Sequence, residues 1–184
     1  FKFFYDGTAT TYFIYCFIYI INNVYIEQQK TKDIKSLFQE EQYYDIINQY
    51  TAKDIKKMSE DELLYVGWSY YMLNELEKSD RYISKLLVRK SNNPKANHLK
   101  GLILVTLGKS VEALSSFLKA IELDPSQGKY YTDAGNAYRD TENLPKAIEY
   151  YKKGIYASKP SEQAYFMLAD IYDYEGDHKQ SLAT

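Results

Sequence analysis

Apolar residues recur at helical spacing along most of this chain, in pairs of stripes separated by short polar breaks. The breaks fall at Asn74-Glu75, Gly108-Lys109, Glu142-Asn143 and Gly176-Asp177. Apolar positions three to four residues apart mark a helix with one buried face. The pattern predicts helices near residues 60–73, 76–90, 94–107, 110–124, 128–141, 145–157 and 162–174. Start and stop signals agree with it. Ser59-Glu60-Asp61-Glu62 and Asn74-Glu75-Leu76-Glu77 both read as capping boxes. Pro145 follows Asn143 early in a helix, where its missing N–H is harmless, and Pro125 and Pro160 prevent continuation of theirs.

The stripes repeat. Gly67, Gly101, Gly135 and Ala169 stand 34 residues apart, as do Tyr70, Leu104, Tyr138 and Tyr172. The same step links the small residues Ser79, Ala113, Ala147 and Ser181, and the large residues Ile83, Phe117 and Tyr151. Leu86, Ala120 and Gly154 form another column, beside Leu87, Ile121 and Ile155. An interior glycine lowers helix stability by about 1 kcal/mol relative to alanine. Small residues kept at fixed positions of a unit therefore imply two helices crossing at close range, with the large residues filling the space between. The expected architecture is all-α: tandem antiparallel helix pairs stacked into a solenoid.

Small, tyrosine, small, aromatic, small and proline at this period resemble the tetratricopeptide repeat. Residues 94–127 match the pattern best, with Gly101, Gly108, Ala113, Phe117, Ala120 and Pro125 on family positions. Residues 128–161 follow it with Gly135, Tyr138, Ala147 and Tyr151, but carry Glu142 where glycine is usual. Residues 60–93 depart at Leu86, where a small residue is typical. Residues 162–184 carry Tyr165, Leu168, Ala169, Tyr172 and Gly176, then stop inside a second helix. A degenerate unit is expected at 27–59, where Tyr43-Tyr44, Ile46-Ile47 and Tyr50 suggest a helix pair. The resemblance thus covers residues 27–184. It implies a right-handed α-solenoid whose first helices line a concave groove.

Residues 1–26 stand apart as a hydrophobic, aromatic segment. Positions 7–26 hold no charged residue, the length of a membrane-spanning helix, yet Asn22-Asn23 would be costly at hydrocarbon depth. Three readings are open: a signal anchor tethering the repeats to a membrane, an aromatic helix covering an end or the groove of the solenoid, and upstream sequence that is not natively translated. The chain opens on Phe1 and its first methionine is Met58, which points to a piece of a longer reading frame. Packing mainly between neighbouring repeats implies that residues 1–26 are dispensable for folding of the rest. The expected location is cytoplasmic or membrane-tethered.

Composition narrows the chemistry. A formal net charge of −2 lacks the basic footprint of a nucleic-acid binder. One cysteine, Cys16, excludes an internal disulfide framework, and with two histidines no metal centre or cofactor site is expected. Gly101 and Gly108 sit in helical register without the Lys-Ser/Thr of a phosphate loop. His98 reads as a groove contact, and Asp170 with Asp173 as a solvated or peptide-facing helix face. The basic stretch 89–95 is too short to imply nucleic acid. No catalytic residue is expected. The 21 tyrosines suit helix seams and contact surfaces, because each combines a large area with a polar tip.

The resemblance also implies which positions face the groove: the second, fifth, sixth, ninth, twelfth and thirteenth of each unit. These are Asp61, Leu64, Tyr65, Trp68, Tyr71 and Met72 in the first full unit. The second supplies Lys95, His98, Leu99, Leu102, Val105 and Thr106, and the third Lys129, Thr132, Asp133, Asn136, Arg139 and Asp140. The fourth supplies Gln163, Phe166, Met167, Asp170, Asp173 and Tyr174. An aromatic and aliphatic shelf passing into a polar section implies binding of a protein or peptide. The lysine and asparagine clamp of chaperone-binding members is absent, since Leu64, Trp68, His98 and Leu102 occupy its first positions. The expected role is an adaptor or scaffold. The alternative is the repeat-bearing region of a larger enzyme, such as a transferase or signalling protein.

Overall fold

A computed structural model describes residues 32–174. Nine helices follow one another in this part of the chain. They are α1 (Ile34–Gln39), α2 (Tyr43–Tyr50), α3 (Glu60–Met72), α4 (Leu76–Arg89), α5 (Pro94–Thr106), α6 (Ser110–Leu123), α7 (Gly128–Asp140), α8 (Leu144–Ile155) and α9 (Glu162–Tyr174). Helices α3 with α4, α5 with α6 and α7 with α8 form the pairs that the 34-residue period predicts, stacked as a helical solenoid. The expectations for residues 1–26 and for the second helix after Gly176 lie outside the described residues. Among the described residues no helix is long and apolar enough to cross a membrane.

Capping chemistry explains where the helices begin. The Ser59 hydroxyl accepts from Glu62 N at 3.2 Å while the Glu62 carboxylate accepts from Ser59 N at 2.8 Å, so α3 opens with a full capping box. The side chains of Asn93 and Asn143 cap α5 and α8, each just ahead of a proline in the first turn. Asn74 behaves differently from its expected role. It does not cap α4; it takes a left-handed conformation at φ 59° in the turn before it. Gly108 (φ 73°) and Glu142 (φ 59°) occupy the same place in the next two units. In all three turns the following amide reaches back across the helix end, Glu75 N to Tyr70 O, Lys109 N to Leu104 O and Asn143 N to Tyr138 O, at 2.8–2.9 Å. This 6→1 bond requires the left-handed residue before it. Each first helix therefore ends about a residue before the sequence pattern does.

The pairs close at their glycines. A Cβ on Gly101 would lie 2.4 Å from the Phe117 ring, one on Gly135 2.7 Å from the Tyr151 ring, and one on Gly67 2.6 Å from Ile83. The three overlying side chains are fully buried. So are the small residues Ser79, Ala113 and Ala147, and in the first pair the Ser79 hydroxyl donates to Gly67 O at 2.8 Å. Tyrosines fill the seams. Tyr70 stacks on Tyr82 at 5.5 Å, and two units later Tyr138 meets Tyr150 at 5.0 Å.

Polar and backbone contacts act both between units and within them. Arg89 donates to the carbonyls of Ile55, Lys56 and Met58, and Lys90 pairs with Glu60 at 2.7 Å, so part of the basic stretch is structural. Gly128 lies against Gly154 O, Ser161 N and Lys159 O, all closer than 3.0 Å to any added Cβ. Its amide donates to Lys159 O and Lys159 N donates to Ser126 O. Gln127 and Lys159 thereby form an isolated parallel bridge. The column logic did not single out Gly128, because its neighbour is backbone rather than a side chain.

Three outcomes test this packing. Gly101→Leu has no room beneath Phe117 and lowers stability by roughly 1–3 kcal/mol, read as a fall in the denaturation midpoint. Glu142→Gly relieves the left-handed strain and raises stability by up to about 1 kcal/mol, read as a rise in that midpoint. Burial holds the hydroxyls of Tyr130, Tyr150 and Tyr151 at about 12, above the ordinary value near 10. Their raised folded values mean that this contribution to stability is complete below about pH 10 and is lost as pH rises towards 12. Tyrosinate absorbance followed with helicity through alkaline titration should show late ionisation accompanied by unfolding.

Candidate functional site

The first helices form the inner layer. Helix α1 touches α3, α3 touches α5, α5 touches α7, and α7 touches α9. The second helices α4, α6 and α8 do not meet one another across units. A stack that is tight along one helix layer and open along the other curves towards the tight layer, so the first helices line the concave side.

Burial divides the expected groove residues by their place in the unit. Trp68, Leu102 and Asn136, at the ninth position, are partly exposed, as are Tyr71, Val105 and Arg139 at the twelfth. Met72 is 50 % exposed, and Thr106 and Asp140 share its thirteenth position and its exposure. The fifth and sixth positions are mostly interior. Leu64, His98 and Leu99 are buried, as are Thr132 and Asp133, so these do not line an open shelf. Their half of the first helix meets the neighbouring first helices, and side chains there fill the inter-unit seam. Tyr65 remains partly exposed, with its ring 5.1 Å from Phe38 of α1. Phe166, at the fifth position of α9, is 71 % exposed. Lys129 and Asp170 are exposed.

The open strip therefore changes character along the stack. Its first half is apolar: the Trp68 and Tyr71 rings meet edge to face at 5.8 Å, Met72 follows Tyr71, and Leu102 and Val105 hold the same positions on the next first helix. Its second half is polar. Asn136 accepts from the Tyr151 hydroxyl at 2.7 Å, and this commits its carbonyl oxygen to the helix pair. Arg139 lies 3.9 Å from Asp170 and 3.6 Å from the Met167 sulfur. Asp170 is largely solvated and Arg139 partly so, and this pair contributes little to stability.

Beneath the strip lies a polar contact that sequence spacing did not anticipate. His98 Nε2 is 2.6 Å from Asp133 Oδ2, with side-chain exposures of 4 % and 11 %. The His98 ring also lies 4.6 Å from Tyr130, 5.8 Å from Phe117 and 6.0 Å from Trp68. The 35-residue separation of His98 and Asp133, one more than the repeat, is the only signal in the sequence. A hollow of about 590 Å³ opens between residues 108–112 and 140–142, walled mostly by exposed residues of two turns and the adjoining helix ends. Of the groove positions only Asp140 borders it.

Comparison with known proteins agrees with this architecture. Residues 98–162 and 162–184 each match a tetratricopeptide repeat family. No curated protein matches the chain in sequence. Among solved structures, a crystal structure of MamA is similar with a TM-score of 0.71 at 19 % identity, over 83 % of this chain and 90 % of that one. MamA 41-end from Desulfovibrio magneticus RS-1 gives a TM-score of 0.65 at 19 % identity, covering 82 % and 85 %. MamA MSR-1 C2 gives 0.66 at 18 % identity, covering 89 % and 92 %. At these identities the likeness is one of fold. Residues 98–184 are therefore built of tetratricopeptide repeats, and the 34-residue period and glycine-closed helix pairs continue the same architecture back to residue 60.

Proposed function

We propose that the chain is a protein-interaction scaffold whose concave strip holds an extended or helical segment of a partner protein. The observation that carries this reading is the run of partly exposed Trp68, Tyr71, Leu102 and Val105 on adjoining first helices, followed by Asn136, Arg139 and Asp170. Solvent-accessible apolar side chains clustered on one face and bordered by charge are the usual form of a peptide-binding surface. The family match supports a binding role, since stacked helix pairs create extended concave surfaces of this kind.

The strip suggests a direction for the ligand. An apolar anchor would rest on Trp68, Tyr71 and Leu102, and the polar remainder would run towards Arg139 and Asp170. Aromatic residues at the centre of an interface carry a disproportionate share of binding energy. Lys129 at the edge of the third unit and Phe166 on α9 extend the same face and would bear on the ligand's far end.

Selection from a displayed peptide library against the full chain, followed by titration calorimetry with the selected peptides, tests the reading. Trp68→Ala should weaken binding at least about tenfold, or roughly 1.4 kcal/mol, with helicity unchanged. Equal affinity of wild type and variant for every selected peptide would place the binding surface elsewhere and turn attention to the convex second helices.

A further inference from the structure

We infer that the buried His98–Asp133 bridge is a positioning device: it ties three successive repeats together and fixes the orientation of Trp68. His98 is on α5, the first helix of the second full unit, and Asp133 is on α7, the first helix of the third. A carboxylate as enclosed as Asp133 is strongly unfavourable without a donor, and the Nε2–H of His98 supplies one at 2.6 Å.

Imidazole suits this position because its edge and its faces do different work. The edge donates to Asp133, while the ring packs among Trp68 of the first unit, Phe117 of its own unit and Tyr130 of the third. Burial keeps Tyr130 in its neutral form, so it brings no second charge to the cluster. In a stacked-repeat protein each unit ordinarily contacts only its neighbours. Here one side chain is touched from the unit before and the unit after. The environment of Trp68 consequently depends on a carboxylate two units away. An aromatic anchor whose orientation is set before binding loses less freedom when a ligand arrives. Only that last consequence rests on the groove reading; the coupling itself does not.

Trp68 is the single tryptophan of the chain, so its fluorescence reports the coupling without any ligand. Asp133→Asn keeps the size of the side chain and removes its charge. In the full chain this variant should shift Trp68 emission to longer wavelength and raise its acrylamide quenching, under conditions where far-UV circular dichroism still matches wild type. His98→Phe retains the ring packing and loses the bridge, and it should shift emission in the same way. Tyr151→Phe, which removes a hydrogen bond in the third unit outside the cluster, should leave emission unchanged. Wild-type emission and quenching in both Asp133→Asn and His98→Phe would overturn the inference, as would an equal shift in Tyr151→Phe. If Asp133→Asn fails to fold, the double variant His98→Phe with Asp133→Leu replaces the bridge by apolar groups. A shift in that variant supports the role, and wild-type emission overturns it. Because no peptide is involved, these outcomes stand apart from success or failure of the Trp68→Ala binding test.

Discussion

Two helices can approach closely only where neither side chain stands between them, and every complete pair in this solenoid meets that condition in the same way. Gly67, Gly101 and Gly135 leave the surface of a first helix bare, and Ile83, Phe117 and Tyr151 on the second helix settle onto the gap. Glycine within a helix weakens that helix by about 1 kcal/mol, while burying a large apolar side chain contributes about 1.5–3 kcal/mol. The exchange favours the pair over the isolated helix. It also fixes the separation of the two helices, and through it the line along which the first helices abut.

From that line follows the division of each first helix into a sealed part and an open part. The fifth and sixth positions face the adjoining first helices and are taken up by packing: Leu64, Leu99 and Thr132 are buried, and His98 with Asp133 forms a bridge. The ninth and twelfth positions lie beyond the seam and stay partly exposed. The open strip is consequently narrower than the family's full set of groove positions. It is also ordered from apolar to charged along the stack. Its apolar half is held from below by the cluster around His98, so the scaffold and the candidate site share side chains.

The junctions between units use backbone as much as side chains. Lys159 N donates to Ser126 O across the junction of the second and third units, and within the third unit Gly128 admits the carbonyls of Gly154 and Lys159 that hold this loop in place. At the other end, the Arg89 guanidinium gathers three carbonyls of the segment 55–58. These contacts are directional. They set the angle between units in a way that apolar packing, which is tolerant of rotation, does not.

The sequence by itself determined the all-helical class, the 34-residue unit, the helix pairing and the residues that meet within each pair. It could do so because those contacts recur at a constant offset: sixteen residues separate Gly101 from Phe117 and Gly135 from Tyr151, so local periodicity and tertiary contact coincide. Its resemblance to the tetratricopeptide repeat further implied that Trp68, Tyr71 and Leu102 face inward from first helices. Only the tertiary structure decided which inward positions reach solvent. Leu64, His98 and Leu99 share the helical face of the open residues, and their burial depends on how far the neighbouring units lean over them. The role of Asn74 was decided in the same way: its side chain suits a cap, but the 6→1 bond from Glu75 to Tyr70 demands a left-handed residue there. The His98–Asp133 bridge lies between units, and its geometry is set by the angle of stacking, a quantity that no spacing within one repeat encodes.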